Sequence, residues 1–364
     1  MSLLKLQSAK VAERTAHERG TPRVLRLGRG SLRWRPRTIA VAFILLLGLA
    51  SLATLSLAQG AYSVPPDQVL AAFFGSGSDV VRYAVVELRL PRTLTGIVVG
   101  FALGISGALT QTVTRNPIAS PDVLGVTAGA SLGAVSVIAL GTPFAASPLS
   151  VPAAALLGGL LTAAVIFALS WRRGADSLRL ILTGIAVNAA VVAMVSWMLV
   201  LAQLSRAVSA NVWLVGSLEG SNWTSVTPAI IATAILALLT LTVARALPAL
   251  ALGPDTAAAL GVSPRQTRTI LLLLSVALAA IGVAAAGPIG FIAFAAPQIA
   301  LRVFKTPSPP LFCSGLLGAL LITGSDLLLR VASPVPLPVG IMTTLIGAPF
   351  LIYLIIRTTR RRSA

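Results

Sequence analysis

Apolar runs of about twenty residues recur through most of this chain, and that is the length an α-helix needs to cross about 30 Å of hydrocarbon. The sequence is 56% hydrophobic and only 10% charged, whereas soluble domains carry about 25% charged residues. A transmembrane β-barrel would need short segments of alternating polarity, but these runs are continuous. The pattern therefore predicts an all-α polytopic membrane protein.

The runs divide into ten predicted transmembrane helices, which places both termini on the same side of the membrane. Residues 270–301 are too long for one crossing, and Gly287, Pro288 and Gly290 favour a reversal of the chain within them. The predicted spans are 39–58, 93–113, 123–141, 148–170, 178–202, 226–247, 267–286, 288–304, 310–330 and 337–356.

The distribution of Lys and Arg predicts that both termini of this multi-pass protein are cytoplasmic. With that orientation, 23 of the 28 basic residues lie inside, as the positive-inside rule requires. Many of them lie in a basic N-terminal arm, residues 1–38, and a basic tail, residues 357–364, on either side of a transmembrane domain at 39–356. We interpret the arm and tail as orientation signals held near anionic lipid. The five outside are Arg82, Arg89, Arg92, Arg206 and Arg330.

The chain offers few groups that carry catalysis. Its one histidine, His17, and one cysteine, Cys313, cannot build a His/Cys metal site or a nucleophile–base pair in the membrane, and no lysine follows a phosphate-binding glycine loop. Asp326 is the one acid inside a predicted span, and Arg330 four residues later predicts an ion pair rather than a proton relay. We predict a non-enzymatic chain without a cofactor or metal of its own.

Small residues are spaced for close contact between helices. Glycine recurs at every fourth position in the second and third predicted spans, which places the glycines along one helix face. Such a face lets two helix backbones pack closely without polar side chains. The six glycines are Gly96, Gly100, Gly104, Gly125, Gly129 and Gly133.

Several long motifs resemble the permease subunits of the FecCD family, which are membrane components of ATP-binding-cassette (ABC) importers for ferric siderophores, cobalamin and haem. The longest is "LRLPRTLTGIVVGFALGISGALTQTVTRNPIASPDVLGVTAGASLGA", at residues 88–134. Four more follow in family order: "VWLVGSLEG" (212–220), "LALGPDTAAALGV" (250–262), "AGPIGFIAFAAPQIALR" (286–302) and "DLLLRVASPVPLPVGIMTTLIGAPFLIYL" (326–354).

The resemblance implies a type II ABC importer permease of the cytoplasmic (inner) membrane that works in a complex. Its expected partners are a second permease chain (a second copy or a related subunit), two ATPase subunits that use ATP and Mg²⁺, and an extracytoplasmic binding protein. The motifs look closest to ferric-siderophore permeases of the catecholate type, with cobalamin or haem as alternatives. A stand-alone secondary transporter is the alternative from a different class.

The same resemblance implies candidate site residues on both sides of the membrane. Residues 252–266 read as two short cytoplasmic coupling helices that contact the ATPase, and the loop after the second span reads as a cytoplasmic corner or gate. From the residues themselves, Pro254 can start the first short helix and Ser263 can cap the second. In the corner, Pro117 and Pro121 predict a bend, in which Asn116 can bond its own backbone and Asp122 can cap the third predicted span. Arginines at the outer ends of spans would dock the binding protein, or else extend to the membrane interface. The candidates are Asp255, Ala258, Leu260 and Gly261 for coupling; Arg115, Asn116, Pro117 and Asp122 for the corner; Arg89, Arg92 and Arg330 for docking; and Asn188, Ser196, Trp197, Met198, Met342, Thr343 and Thr344 for the translocation path.

Overall fold

The computed structural model describes residues 23–27, 30–34, 36–60, 62–75, 78–141, 147–170, 177–306, 308–333, 335 and 337–362. Apart from one antiparallel hairpin in the basic arm, the regular structure of this part of the chain is helical. A π-helix, Tyr83–Arg89, joins α3 to α4, and a 3-10 helix, Pro121–Leu124, precedes α5. The elements are β1 Arg23–Leu27, β2 Gly30–Trp34, α1 Pro36–Ala58, α2 Pro66–Phe73, α3 Asp79–Arg82, α4 Leu90–Thr114, α5 Val126–Leu140, α6 Ser150–Ser170, α7 Ser177–Leu201, α8 Leu204–Val215, α9 Trp223–Ala244, α10 Leu247–Ala251, α11 Pro254–Ala259, α12 Pro264–Ala286, α13 Ile292–Phe304, α14 Leu311–Ala332 and α15 Val339–Arg362.

Seven of the predicted spans coincide with helices that have the length and composition to cross a membrane. The other three correspond to shorter apolar helices, α5, α13 and the apolar part of α15. Helices α5 and α13 begin three and four residues later than the predicted third and eighth spans, because a residue in the left-handed conformation precedes each helix. Gly125, with φ 76°, precedes α5, and Phe291, with φ 66°, precedes α13.

Helix α4 forms the centre of the bundle. Helix α4 belongs to the continuous helical segment Asp79–Thr114, and 78% of the most apolar 18-residue stretch of that segment is buried. The corresponding value for α1 is 6%. The neighbours of α4 are chiefly α12, α13 and α14. Leu109 of α4, Leu271 and Leu278 of α12 and Ile322 of α14 are fully buried in this core. The sequence therefore forms a bundle around one central helix, with α1 at its periphery.

The two glycine rows pack as the sequence predicts. Gly100 and Gly104 place α4 against α14, while Gly129 and Gly133 place α5 against α6. A Cβ atom at any of these four positions would lie 2.0–2.3 Å from a backbone carbonyl oxygen of the facing helix. The first glycine of each row differs, since one faces a leucine side chain at 3.1 Å and the other has a φ of 76°.

The division of the chain into a basic N-terminal arm, a transmembrane domain and a basic tail remains a prediction. The basic arm contains the β1–β2 hairpin, in which Arg23 pairs with Trp34 and Leu27 with Gly30, a feature that its charge pattern does not indicate. At the other end, α15 continues to Arg362, so the described part of the predicted basic tail extends the last helix. Residues 1–22 and 363–364 lie outside the described residues.

Candidate functional site

The loop after α4, which the sequence predicts as the cytoplasmic corner, is built by turn-forming residues. Arg115 ends α4 in the left-handed conformation, with φ 53° and ψ 29°. Oδ1 of Asn116 accepts a hydrogen bond from the Ile118 amide at 3.0 Å, which is the turn predicted for this asparagine. Ser120, before Pro121, is extended with φ −127° and ψ 160°, as a residue before proline prefers. The predicted bend is confirmed.

Asp122 stabilises this corner in a different way from the predicted helix cap. Its carboxylate accepts hydrogen bonds from the hydroxyl groups of Ser120, at 3.1 Å, and Thr127. The N-cap position of α5 is Gly125, and no side chain caps that helix. The prediction is wrong because Asp122 lies inside the preceding 3-10 helix, too early to reach the free amides of α5. Pro117 is exposed in the turn between the two helices.

The candidate coupling residues share one exposed face on and after α11. Asp255, Ala258, Leu260 and Gly261 are all exposed, and Leu260 keeps 61% of its surface. Ala257, by contrast, is fully buried against the bundle. The short helix therefore presents an apolar surface with one carboxylate away from the protein, as a docking element would.

The surrounding loop differs in part from the predicted pair of short helices. The first helix begins at Pro254 as predicted, but the helix after Ser263 is the full-length α12. Ser263 occupies the N-cap position without a side-chain capping bond. A further short helix, α10, precedes the pair and ends beside Leu252, which is 66% exposed. Leu252 extends the exposed apolar surface and was not among the predicted residues.

The corner and the coupling loop touch each other. Nη2 of Arg115 donates a hydrogen bond to the carbonyl oxygen of Leu250 at 2.5 Å. Leu250 lies in α10, 135 positions later in the chain. Two loops that the sequence predicts on the same side of the membrane are thus at the same end of the bundle.

At the opposite end, Arg89 is buried inside the chain. Only 8% of its surface is exposed. It donates hydrogen bonds to the carbonyl oxygens of Leu57 at 2.8 Å, Ala58 at 3.0 Å and Tyr62 at 2.7 Å, and its guanidinium lies 5.0 Å from the centre of the Tyr62 ring. These carbonyls belong to the end of α1 and the turn after it, where a helix has no donors of its own. Arg89 therefore stabilises the outer end of α1 by donating hydrogen bonds to its last carbonyl groups.

Arg92 and Arg330 share one buried carboxylate. The Asp326 side chain is 3% exposed and forms ion pairs with Nη2 of Arg92 at 2.8 Å and with Nε of Arg330 at 3.0 Å. Arg330 also donates to the carbonyl oxygens of Ser56 at 3.1 Å and Gln59 at 3.2 Å. The predicted ion pair between Asp326 and Arg330 is confirmed, and the structure adds a second arginine to it.

The three arginines line one outer cavity of about 560 Å³. Among the described residues, Asp326 is the one acidic side chain that forms ion pairs in this group. Three arginines and one carboxylate leave two excess positive charges. Arg92 is the most available of the three, because its side chain is 22% exposed. Its hydrogen bonds within the described part of the chain involve Nε and Nη2, which leaves Nη1 for an acceptor from outside.

The predicted pathway residues divide into two groups. Ser196 and Trp197 on α7 and Thr344 on α15 are exposed, and Trp197 keeps 61% of its surface. The faces around them carry many exposed aliphatic side chains, including Val200 and Leu345. Both helices thus present a weakly polar face that the described part of the chain leaves uncovered.

The other four pathway candidates are turned toward the bundle. Thr343 is 3% exposed, while Met342 and Met198 are half-buried, the latter against the α5–α8 core. Nδ2 of Asn188 donates to the carbonyl oxygen of Asp122 at 3.2 Å, so this side chain connects α7 to the cytoplasmic corner. The structure does not bring the seven residues into one surface.

Sequence reasoning also missed two polar contacts between helices. Nε1 of Trp223 donates to the carbonyl oxygen of Val86, at 3.1 Å, within the π-helix. Proline has no amide to donate, so Pro91, five positions after Val86, leaves this carbonyl without its π-helical partner. Near the end of the bundle that carries Arg115, Nε2 of Gln298 donates to Oε1 of Gln111 at 2.7 Å, and both side chains are buried. The sequence feature that could have indicated the second contact is the presence of one glutamine in each of two apolar spans.

The chain is similar to membrane transport proteins over most of its length. The sequence profile of the FecCD transport family matches residues 45–357. The ferric enterobactin transport system permease protein of Escherichia coli K12 is 38% identical over 329 residues, which cover 90% of this chain and 98% of that protein. The iron(3+)-hydroxamate import system permease protein of Bacillus subtilis 168 is 36% identical over 327 residues, covering 88% and 96%.

A solved structure agrees with these sequence relatives. It is described as a metal-chelate type ABC transporter in an inward-facing conformation, and it superposes with a TM-score of 0.79. Its sequence is 29% identical, and the match covers 88% of this chain and 99% of that one. Both the sequence and the fold thus match transport proteins along nearly their full lengths.

Proposed function

Since this chain belongs to the FecCD transport family, we propose that it is the membrane permease subunit of an ABC importer in the cytoplasmic (inner) membrane. The observation that carries the proposal is the near-complete coverage of relatives that are themselves permease subunits of ferric-chelate importers. The substrate is a ferric siderophore. It passes from an extracytoplasmic binding protein into the cytoplasm by alternating access.

Energy for this movement comes from the partner subunits. Two ATPases bind ATP and Mg²⁺, and one of them docks on the exposed face of α11 in this chain and moves it as the pair closes and opens. This chain contributes no catalytic group; it converts that movement into a change of helix packing. The uncovered faces of α7 and α15 suit the contact with a second permease chain, and purification of the intact complex would decide between a second copy and a related subunit.

Ferric chelates are favoured over the other substrates by the relatives, but identity alone does not select one chelator. The permease for ferric enterobactin and the permease for Fe(3+) dicitrate, both of Escherichia coli K12, are each 38% identical to this chain. We retain the catecholate type as the first ligand to test. Cobalamin and haem are the comparison ligands in the same assay.

Uptake into proteoliposomes tests the function directly. The complete complex should accumulate a ferric siderophore presented on its binding protein when ATP and Mg²⁺ are inside, because the coupling face is cytoplasmic. A complex whose ATPase partner cannot hydrolyse ATP should accumulate none. Gradient-driven uptake by this chain alone would contradict the proposal and favour a secondary transporter.

The coupling face gives a prediction at single-residue level. Replacing Leu260 with Asp should lower co-purification of the ATPase and ATP-driven uptake about tenfold or more, because a carboxylate would be desolvated in an apolar contact. The matched control is Leu70→Asp, since Leu70 is 60% exposed against 61% for Leu260 but lies at the other end of the bundle. Equal ATPase recovery for the two variants would contradict the coupling surface.

At the outer face, Arg92 is the arginine that suits docking best. Replacing it with Gln should slow association of the binding protein about three- to tenfold at low salt, with a smaller effect at high salt, because charges on an interface rim act on encounter. Arg89 and Arg330 would support docking by holding the outer end of α1 in place. Arg82→Gln is the control, because Arg82 is exposed at the same end. An unchanged association rate for the Arg92 variant would remove Arg92 from the docking surface.

A further inference from the structure

Arg115 occupies a backbone position at which glycine is the usual residue. It follows α4 with φ 53° and ψ 29°, a left-handed conformation in which the Cβ atom crowds the following carbonyl oxygen. Helices often end with glycine in this conformation because glycine has no Cβ. The backbone conformation therefore does not explain why this residue is an arginine, which leaves the contact made by its side chain as the explanation.

That contact is made with the carbonyl oxygen of Leu250 in α10. The distance from Nη2 is 2.5 Å, whereas the Gly253 amide, a neutral donor to the same oxygen, lies at 3.3 Å, and the Leu252 amide also donates to it. Carbonyl groups in the last turn of a helix have no intrahelical donor, and a bond from a charged guanidinium is stronger than one from a neutral donor. Because α10 has only five residues, its position depends on such contacts rather than on its own helical stability.

The bonded carbonyl immediately precedes the proposed coupling face. Two residues after Leu250, the chain passes through Leu252 and Gly253 into α11, which carries Asp255 and Ala258 on its exposed side. On the opposite side, Leu250 packs in the same core as Val113 of α4. The segment 247–261 is therefore held against the end of α4 by apolar packing and by one charged hydrogen bond.

Helix α4 continues this connection into the bundle. One turn before Arg115, the buried Gln111 accepts a hydrogen bond from Gln298 at 2.7 Å and donates one to the carbonyl oxygen of Phe294 at 3.2 Å. Both partners belong to α13. The end of α4 is thus connected to a neighbouring helix through buried polar contacts.

We infer that Arg115 is a positioning residue that transmits movement of the coupling segment 247–261 to α4. It directs its guanidinium at the chain's own coupling loop. Its role is to keep that loop and the α4 end moving as one body. The inference rests on the proposed function, because it assumes that partner ATPases move α11.

The chain contains a matched control for this position. Lys305 also ends a helix in the left-handed conformation, with φ 49° and ψ 43°, at the same cytoplasmic end, and its side chain is exposed. Arg115→Gly and Lys305→Gly both remove one positive charge and relax one left-handed residue. Only the first removes a bond to the coupling segment. Arg115→Lys keeps the positive charge and a group that can donate hydrogen bonds.

Two measurements on the complete complex separate the possible roles. Amide hydrogen exchange over residues 247–253 should be about tenfold faster in the Arg115→Gly complex, because local opening becomes easier, and unchanged in the Lys305→Gly complex. Substrate taken up per ATP hydrolysed should fall about fivefold or more in the first variant, within the usual range of coupling between sites, with subunit recovery unchanged. Arg115→Lys should recover part of both values.

Each other outcome overturns a defined part of the inference. Unchanged exchange in the Arg115→Gly complex would show that the bond does not hold the loop. Faster exchange with unchanged uptake per ATP would reduce Arg115 to a local structural role. An equal loss in Lys305→Gly would assign the effect to charge or backbone. If the unmodified complex shows no ATP-driven uptake, the proposed function fails and transmission with it, while the exchange result still decides whether Arg115 holds the loop.

Discussion

Replacing Gly107 with Ala is expected to prevent α4 and α13 from packing in their native arrangement. A Cβ atom at this position would lie 1.6 Å from the carbonyl oxygen of Ala293 and 2.5 Å from its carbonyl carbon. Both atoms are backbone, so no side-chain rotation relieves the overlap and one helix must move away. Overpacking a core usually costs about 1–3 kcal/mol, and more when the backbone has to shift. Because α13 also carries the bond to Gln111, we expect a loss at or above the upper end of that range.

Thermal unfolding of the purified complex measures this effect. The Gly107→Ala complex should unfold at a much lower temperature or fail to be recovered from the membrane. Gly324→Ala is the matched control, because the added methyl group on α14 would lie 3.7 Å from the Leu52 side chain, an ordinary contact. Alanine is favoured over glycine within a helix by up to about 1 kcal/mol, so the control should be neutral or slightly stabilising. Equal unfolding temperatures for the two variants would contradict the close approach of α4 and α13.

The positions of the membrane helices follow from local properties of the sequence. Hydropathy alone locates the ten apolar segments. The recurrence of glycine at every fourth position identifies the packing faces of α4 and α5, although it does not show which helices pack against them. The predicted helix lengths were less accurate where the backbone conformation of one residue determines where a helix begins. A left-handed phenylalanine at 291 is not a pattern that hydropathy can reveal, and it shortens the eighth predicted span.

The polar contacts of the candidate sites were predictable only when both partners lay close in sequence. The pair of Asp326 with Arg330 spans one helical turn and was predicted. The pair of the same carboxylate with Arg92 joins residues 234 positions apart, and the bond from Arg115 crosses 135 positions. Such contacts depend on how helices pack, which in this chain is set by backbone contacts at glycines. Arg89 and Arg92 were therefore predicted as docking groups without partners in the chain, although Arg89 is almost wholly engaged within it.

Asp326 is the residue whose loss should most disturb the outer end of the bundle. Its side chain is 3% exposed and is shared by Arg92 and Arg330, whose side chains are 22% and 14% exposed. Removing one partner of a buried ion pair costs about 3–5 kcal/mol, because the remaining charge is left uncompensated. The partial exposure of the arginines lowers that figure here, so we expect about 3 kcal/mol for Asp326→Asn. Arg330 would also lose the group that orients it toward Ser56, so the end of α1 should loosen.

A double-mutant cycle distinguishes this shared pair from two independent surface charges. Arg92→Gln alone should be mild, because Asp326 keeps Arg330 as a partner. Adding Arg92→Gln to Asp326→Asn should reverse part of the loss in unfolding temperature, since it removes one of the two unpaired cations. Glu87→Gln is the control, because Glu87 is exposed near the same end, and surface substitutions usually change stability by no more than about 0.5 kcal/mol. Strictly additive effects, or an Asp326→Asn complex as stable as the Glu87→Gln control, would show that the carboxylate does not hold the two arginines together.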